Sequence, residues 1–302
     1  MKIRLGVAPI AWTNNDLPQL GGETSLETCL KESREAGFSG TETGVKFPMD
    51  PKVLGPILAR HRLALASGWF SGELLSRSLE EEKARLADQM ATFRVLGAPV
   101  LIYAETTGSV QSNIGVGVSK RPRLPDGDFP AYGRKLTALA EWMAGEGVRM
   151  AYHHHMGTIV ENHREIDLLM ARTGAAVGLL LDTGHLVYAG ADIEETAHRH
   201  GQRINHVHCK DIRPEVLKRA RQGDQSFLAA ILEGVFTVPG DGFIDYFTLA
   251  RRLADIGYEG WVVVEAEQDP AKAPPSAYSA MGRRHLAQAF DTAGFQILEA
   301  SA

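Results

Sequence analysis

The sequence predicts an α/β fold of one kind, a (β/α)8 barrel in which eight parallel strands close into a ring inside eight helices. Three observations predict it. Strand-like apolar runs alternate strictly with helical patterns, which calls for parallel strands with helices outside the sheet. The count of each is eight, the number that closes a barrel. A helical segment repeatedly stops at glycine a few residues before the next strand, in "EAGFSGTETG", "VLGAPVLIYAE", "GEGVRMAYHHH", "RTGAAVGLLLDTG" and "DIGYEGWVVVEAE". Glycine there takes the left-handed cap conformation that ends a helix. The competing doubly wound sheet would carry a GxGxxG after its first strand, and this sequence has none.

In chain order the strands are expected at 3–10, 40–44, 63–70, 99–105, 148–155, 177–183, 204–210 and 260–266. The helical patterns fall at about 24–36, 51–60, 79–96, 129–145, 162–172, 193–200, 245–256 and 276–295. No linker interrupts the series, so residues 1–302 are read as a single barrel domain. Two connections are long, 106–128 and 211–243. Both follow strands and therefore belong to the C-terminal face, where barrels keep their active sites.

Composition narrows the class of function. Lys and Arg total 32 against 37 Asp and Glu, a net charge of −5 with no long basic run, which argues against nucleic-acid or membrane-surface binding. The two cysteines, Cys29 and Cys209, are too few for a disulfide framework and fit a reducing compartment. The N-terminal run "MKIRLGVAPIAW" lacks a signal-peptide layout, and no apolar stretch is long enough to span a membrane. A cytoplasmic protein is expected. The helices carry nothing that argues an interface, so a homo-oligomer is left open.

Chemistry gathers at the ends of the last four strands, "YHHH", "LLLDTGH", "NHVHCKD" and "VVVEAEQD". Side chains alternate along a strand, so parity assigns each to a face. Met150 and Tyr152 pack outward, which turns His153 and His155 inward and His154 away. By the same rule Asp182, His206, His208, Glu265 and Glu267 point inward, opposite Leu181, Val207, Cys209 and Val264. His153, Asp182, His208 and Glu265 thus aim at one axis from four adjacent strands. Two imidazoles and two carboxylates suit Mn²⁺, Co²⁺ or Zn²⁺ better than Ca²⁺. With no thiolate, the set does not look like a structural zinc site. A single strand-end Asp or His is more often a paired core residue than a ligand, but four with matching parity outweigh that reading.

Further candidates surround this set. Trp69, in "SGWFSGE", could line a polyol pocket or simply pack. Trp12, Glu105, Lys210 and Asp241 lie at or beyond strand ends and join Trp69 as candidate substrate contacts. Asp241 belongs to "PGDG", first of all a turn signal. Lys210 and Asp211 could pair locally, or Lys210 could reach substrate.

"LDTGH", "HVHCKD" and a glutamate on strand eight resemble the divalent-metal sugar isomerases and epimerases, the xylose-isomerase-like TIM barrels. Within that superfamily "GVAPIAWTNNDLPQLG", "ETGVKFP", "LASGWFS", "YHHHMGT", "LLDTGH", "HVHCKD", "FTVPGDG" and "GWVVVEAEQDP" together resemble the myo-inosose-2 dehydratases, also called 2-keto-myo-inositol dehydratases. The resemblance implies a lyase of inositol catabolism that removes water from 2-keto-myo-inositol (scyllo-inosose), using Mn²⁺ or Co²⁺, to give a trihydroxycyclohexane-1,2-dione. Glutathione is associated with the family, although no segment here reads as a site for it. The superfamily holds its metal with Glu, Asp, His and Glu from strands five to eight. Asp182, His208 and Glu265 match the last three, and His185 matches a substrate-contacting histidine. Strand five departs from the pattern, with His153 where relatives carry Glu; Glu161, beyond the strand, is the weaker alternative.

The expected partner is a small cyclic polyol ketone with a hydroxyl β to its carbonyl. Its dehydration needs a base for the α proton and an acid for the leaving hydroxyl, beside a metal that stabilises the enediolate. Glu267 is the candidate base; His185, His155 and Lys46 are candidate acids or hydrogen-bond donors. A ketose epimerase or isomerase would use the same ligands. A metal-dependent AP endonuclease would need a basic face, and a non-catalytic polyol-binding barrel would need no turnover.

Overall fold

The computed structural model describes residues 1–299. All eight predicted strands form and pair in parallel. They are β1 (Lys2–Val7), β2 (Gly40–Thr43), β3 (Ala64–Gly72), β4 (Val100–Glu105), β5 (Arg149–His153), β6 (Val177–Asp182), β7 (Ile204–Cys209) and, as the eighth of the ring, β10 (Gly260–Val264). Between β7 and β10 lies a small antiparallel pair, β8 (Asp211–Ile212) and β9 (Phe236–Thr237). The ring closes because β10 pairs with β7 on one side and β1 on the other. A last strand, β11 (Gln296–Ile297), extends the sheet beside the first residues of β1.

The helices are α1 (Leu26–Glu35), α2 (Pro51–His61), α3 (Leu79–Leu96), α4 (Phe129–Gly145), α5 (His163–Arg172), α6 (Thr183–Ala189), α7 (Ile193–His200), α8 (Pro214–Gln222), α9 (Phe227–Leu232), α10 (Tyr246–Asp255) and α11 (Pro275–Thr292). Their starts follow local chemistry: Ser78 and Asn162 form capping boxes with Glu81 and Glu165. Four of the five glycines read as helix stops do adopt positive φ: Gly37, Gly97, Gly147 and Gly257. The fifth, Gly174, does not, because α5 ends one residue earlier on an extended Thr173.

Strand parity divides the core into two layers. Met150, Tyr152, Leu179, Leu181, Val207 and Val262 face outward into the apolar layer shared with the helices. Val100, Ile102, Ala151 and Leu180 fill the barrel interior. Three strands, β1, β5 and β10, are at least two residues shorter than expected. Pro9 opens a 3-10 turn just past β1, and β5 ends at His153, leaving His154 and His155 on the mouth.

The connection 211–243 is more than a loop. It holds β8, β9, α8 and α9, and Ile212, Leu217, Phe227, Ile231 and Phe236 form an apolar cluster of their own over the mouth. Met156 and Val118, from the loops after β5 and β4, join it. An added helix, α6, follows β6 directly because the side chain of Asp182 caps it, accepting from His185 N at 2.8 Å. Among the described residues no helix is long and apolar enough to cross a membrane.

Candidate active site

The four residues expected to share an axis do so. Ligand-capable atoms of His153, Asp182, His208 and Glu265 lie within 4.8 Å of one another, all buried at the barrel mouth. His153 Nε2 stands 3.6 Å from Asp182 Oδ2, and His208 Nδ1 stands 3.5 Å from the same oxygen. Glu265 Oε2 touches His208 Nδ1.

The remaining bonds of these residues decide what the cluster can hold. His153 Nδ1 lies 2.7 Å from the carbonyl of His154, an acceptor, so Nδ1 carries the proton and the neutral ring's Nε2 is bare. His208 Nε2 lies 2.9 Å from Glu42 Oε1, which likewise leaves the Nδ1 of a neutral ring bare. Neither Asp182 Oδ2 nor His208 Nδ1 finds a hydrogen-bond partner. Two lone-pair nitrogens and two carboxylates therefore converge with no donor among them, an arrangement that a divalent cation satisfies. Without a cation a proton takes its place. Burial opposes charge on His208, but the carboxylates of Glu265 and Glu42 outweigh it and hold the imidazole well above its ordinary range.

Beside this cluster sits a second one. Lys210, fully buried, brings Nζ to 2.7 Å from Glu265 Oε1, 2.5 Å from Glu267 Oε1 and 3.1 Å from His185 Nε2. Gly184 of "DTGH" makes room for it, since a Cβ there would stand 2.7 Å from Lys210 Cγ. Burial pushes Glu267 up to about 7 although the Lys210 ammonium pulls it down. Glu265 is held down at about 2, where His208 and Lys210 outweigh the cost of burial. Burial keeps His155 and His185 neutral, pushing both far below the usual histidine range.

A cavity of about 210 Å³ opens onto both clusters. Glu42, Trp69, His153, His155, Glu265 and Glu267 form its walls. Trp69 stands edge-on to His153 and His155, with ring centroids 5.7 and 5.3 Å apart. His155 gives Nδ1–H to the carbonyl of Met156 at 2.8 Å and so presents a bare Nε2. Asn15, Asp16, Gln111 and Ser112 form a polar rim, and Ser112 Oγ reaches Asp16 Oδ1 across it at 2.5 Å.

Several expected residues lie elsewhere. Trp12 turns outward and donates from Nε1 to Glu32 Oε2 at 2.7 Å, so it is a core residue. Glu105 also faces outward, on the same side of β4 as Leu101 and Tyr103, and accepts from Thr107. Asp241 is tied to Arg213 at 2.7 Å and Thr237 at 2.6 Å. Lys46 spends its ammonium on the carbonyls of Gly22 and Thr24, both at 2.5 Å, and is not on the cavity wall. His185 and Lys210 stand behind Glu267 and are not on the wall either. Asp211 pairs with no lysine; it accepts backbone N–H groups from Ile212, Gly240, Gly242 and Ile244, and so shapes the "PGDG" turn. Glu161 lies with Arg121 and Gly157, away from the four-residue cluster.

Residues 30–289 match the family described as xylose isomerase-like TIM barrel. The whole chain is 49% identical to the rhizopine catabolism protein MocC of Rhizobium meliloti, covering 93% of it. Over 94% of the chain it is 42% identical to the inosose dehydratase of Geobacillus thermodenitrificans, covering 96% of that protein. The chain belongs to the xylose isomerase-like TIM barrels, in the inosose dehydratase family. Among solved structures it is similar to the IOLI protein with a bound zinc atom, with TM-score 0.71 and 16% identity over 96% of this chain and 99% of that one. An L-ribulose 3-epimerase gives TM-score 0.68 at 16% identity, over 97% and 96%. At such identities these two speak for the fold alone.

One wall residue of this family member escaped the sequence reading. Glu42, at the end of β2, is buried, and its Oε1 takes three bonds, from Ser67 Oγ (2.5 Å), His206 Nε2 (2.8 Å) and His208 Nε2 (2.9 Å). The β2–β3 register slips between Thr41 and Glu42, a bulge of the kind that re-aims a side chain. The signal was a carboxylate at a strand end, in "GTETG", the feature that marked strands six and eight.

Proposed function

We infer that this protein is a hydro-lyase that removes water from 2-keto-myo-inositol to give a trihydroxycyclohexane-1,2-dione. The single observation that carries the reading is the identity to proteins named inosose dehydratase, 42% and 41% over 94% and 95% of the chain. The cavity suits the chemistry: it is small, with Trp69, Ile10 and Ile102 as apolar surface and carboxylates and imidazoles as acceptors for hydroxyl groups.

We assign His153, Asp182, His208 and Glu265 as the ligands of a divalent ion, with Mn²⁺ or Co²⁺ as the physiological metal. When bound, that ion polarises the ketone and eases loss of the α proton. Glu267 is the base. Its carboxylate faces the cavity, and the Lys210 ammonium at 2.5 Å holds it in place. The α proton moves to Glu267, and the electron pair of that C–H bond goes to the new C=C bond as the β C–O bond breaks. Glu267 then returns the proton to the departing hydroxyl, which leaves as water, and the enol tautomerises to the dione. His155, with its bare Nε2, accepts a substrate hydroxyl, and Trp69 packs against the ring face. Cys29 and Cys209, both buried and unpaired, suit the cytoplasm.

The test is a spectroscopic time course of Mn²⁺-loaded protein with 2-keto-myo-inositol, and a ketohexose in parallel. Dione formation that EDTA abolishes is the expected result. Ketohexose interconversion without dione would replace this reading by an epimerase on the same scaffold.

A further inference from the structure

We propose that Glu42 is a positioning residue: it fixes which nitrogen of His208 faces the metal, and thereby sets the affinity of the site. The proposal rests on the metal assignment above and extends it to a residue outside the ligand set.

An ionised carboxylate only accepts hydrogen bonds. Glu42 Oε1, 2.9 Å from His208 Nε2, therefore requires the proton of a neutral His208 to sit on Nε2. The lone pair is left on Nδ1, the atom turned toward Asp182 and Glu265. The opposite tautomer would aim an N–H at the cluster and set a lone pair against a carboxylate. Carboxylate–imidazole–metal arrangements of this kind orient the ring and raise its basicity.

Glu42 is itself held so that it can do this. Ser67 Oγ donates to the same Oε1 at 2.5 Å, and His206 Nε2 approaches it at 2.8 Å and Ser67 Oγ at 3.1 Å. His206 Nδ1 has no partner, so the ring's polar contacts are those of Nε2 with Glu42 and Ser67. The contact also crosses the barrel. β2 pairs with β1 and β3, whereas β7 pairs with β6 and β10, so the Glu42–His208 bond ties two strands that are not neighbours in the ring. Its burial among fixed donors leaves the carboxylate little freedom to follow a displaced imidazole.

The experiment compares Mn²⁺ binding to metal-free wild type and Glu42→Gln by calorimetry, with melting curves of both metal-free proteins. The variant keeps shape and loses charge; it should bind Mn²⁺ roughly 10–100-fold more weakly, the usual cost of losing such a partner. Equal melting temperatures would place the loss in the site and not in the fold. Wild-type protein loaded with Zn²⁺ is then examined by long-range ¹H–¹⁵N NMR, which needs no variant and decides the matter if Glu42→Gln does not fold. His208 should show a protonated Nε2 and a metal-bound Nδ1. Mn²⁺ affinity within about twofold of wild type, or a metal-bound Nε2, would overturn the proposal while leaving the metal assignment standing. Wild type that binds neither ion would overturn the metal assignment, and this inference with it.

Discussion

Two groups of buried charge on the active face are built in opposite ways. Arg121 Nη2 donates to both oxygens of Glu165, at 2.7 and 2.9 Å, and Nη1 donates to the carbonyl of Thr158 at 2.9 Å. Glu165 Oε2 also accepts from the backbone of Glu161 at 2.9 Å and of Asn162 at 3.2 Å, which ties the loop after β5 to the start of α5. There opposite charges answer one another: Arg121 Nε lacks a hydrogen bond, but it stands 3.2 Å from Glu161 Oε1. The His153–Asp182–His208–Glu265 group is built differently. Its inward atoms are acceptors, and two of them have no partner. Burying polar atoms unpaired costs on the order of 1–3 kcal/mol each, so a fold keeps them only where something else satisfies them. What sets the second group apart is that its unpartnered acceptors converge on one point.

Asp182→Asn should break the second group without disturbing the first. The Asn side-chain oxygen can keep the cap on His185 N, while an NH₂ replaces the oxygen that faces the histidines. Turnover should fall by more than the roughly 10–100-fold that loss of an outer partner costs. Mn²⁺ binding by calorimetry should disappear, with the far-UV circular dichroism unchanged. Full metal binding in this variant would mean that the four residues are not the ligand set.

Glu165→Gln makes the reverse cut. Breaking a buried ion pair from one side costs about 3–5 kcal/mol. Urea unfolding should register that loss, while Mn²⁺ affinity of the surviving native protein stays at the wild-type value. A variant as stable as wild type would show that Arg121 and Glu165 are not the buried ion pair described.

The four-residue cluster was legible in the sequence because its convergence depends on a local rule. Period-two alternation assigns Asp182 by contrast with Leu181, and His208 by contrast with Val207 and Cys209, within a few residues of chain. Glu42 was out of reach of that rule, since its partners lie 164 and 166 residues away and a bulge sets its direction. Glu105 fails for a simpler reason. The same parity, applied to strand four, puts it with Leu101 and Tyr103 on the helix side, so a strand-end position alone does not place a side chain at the mouth. Trp12, Lys46 and Asp241 each answer a local partner that no window of sequence displays: Glu32, two backbone carbonyls, and Arg213 with Thr237. The apolar cluster that makes 211–243 a cap required its helices to be folded against one another, and no single window of sequence displays that packing.

Glu105 sharpens the contrast as a third case, an unanswered acceptor standing alone. Its Oε2 is buried without a partner, and among the described residues Glu105 belongs to no cluster of three or more groups that could hold an ion. A lone buried carboxyl relieves its cost by keeping its proton: burial pushes Glu105 from 4.5 up to about 6, against the hydrogen bonds from Thr107. The folded state therefore favours the protonated form. That stabilisation is full below about pH 4.5 and is lost as the pH rises through about 6. A shift of this size corresponds to about 2 kcal/mol. Glu105→Gln, neutral at every pH and still able to accept from Thr107, should escape the loss. In urea unfolding at pH 4.5 and pH 7, the variant should gain on wild type by about 1–2 kcal/mol at the higher pH. An equal difference at both values would mean that Glu105 ionises as freely in the folded chain as in the unfolded one. Burial without a partner would then not suffice to distinguish a strained acceptor from a solvated one, and the two orphaned atoms of the four-residue group would rest on the metal titration alone.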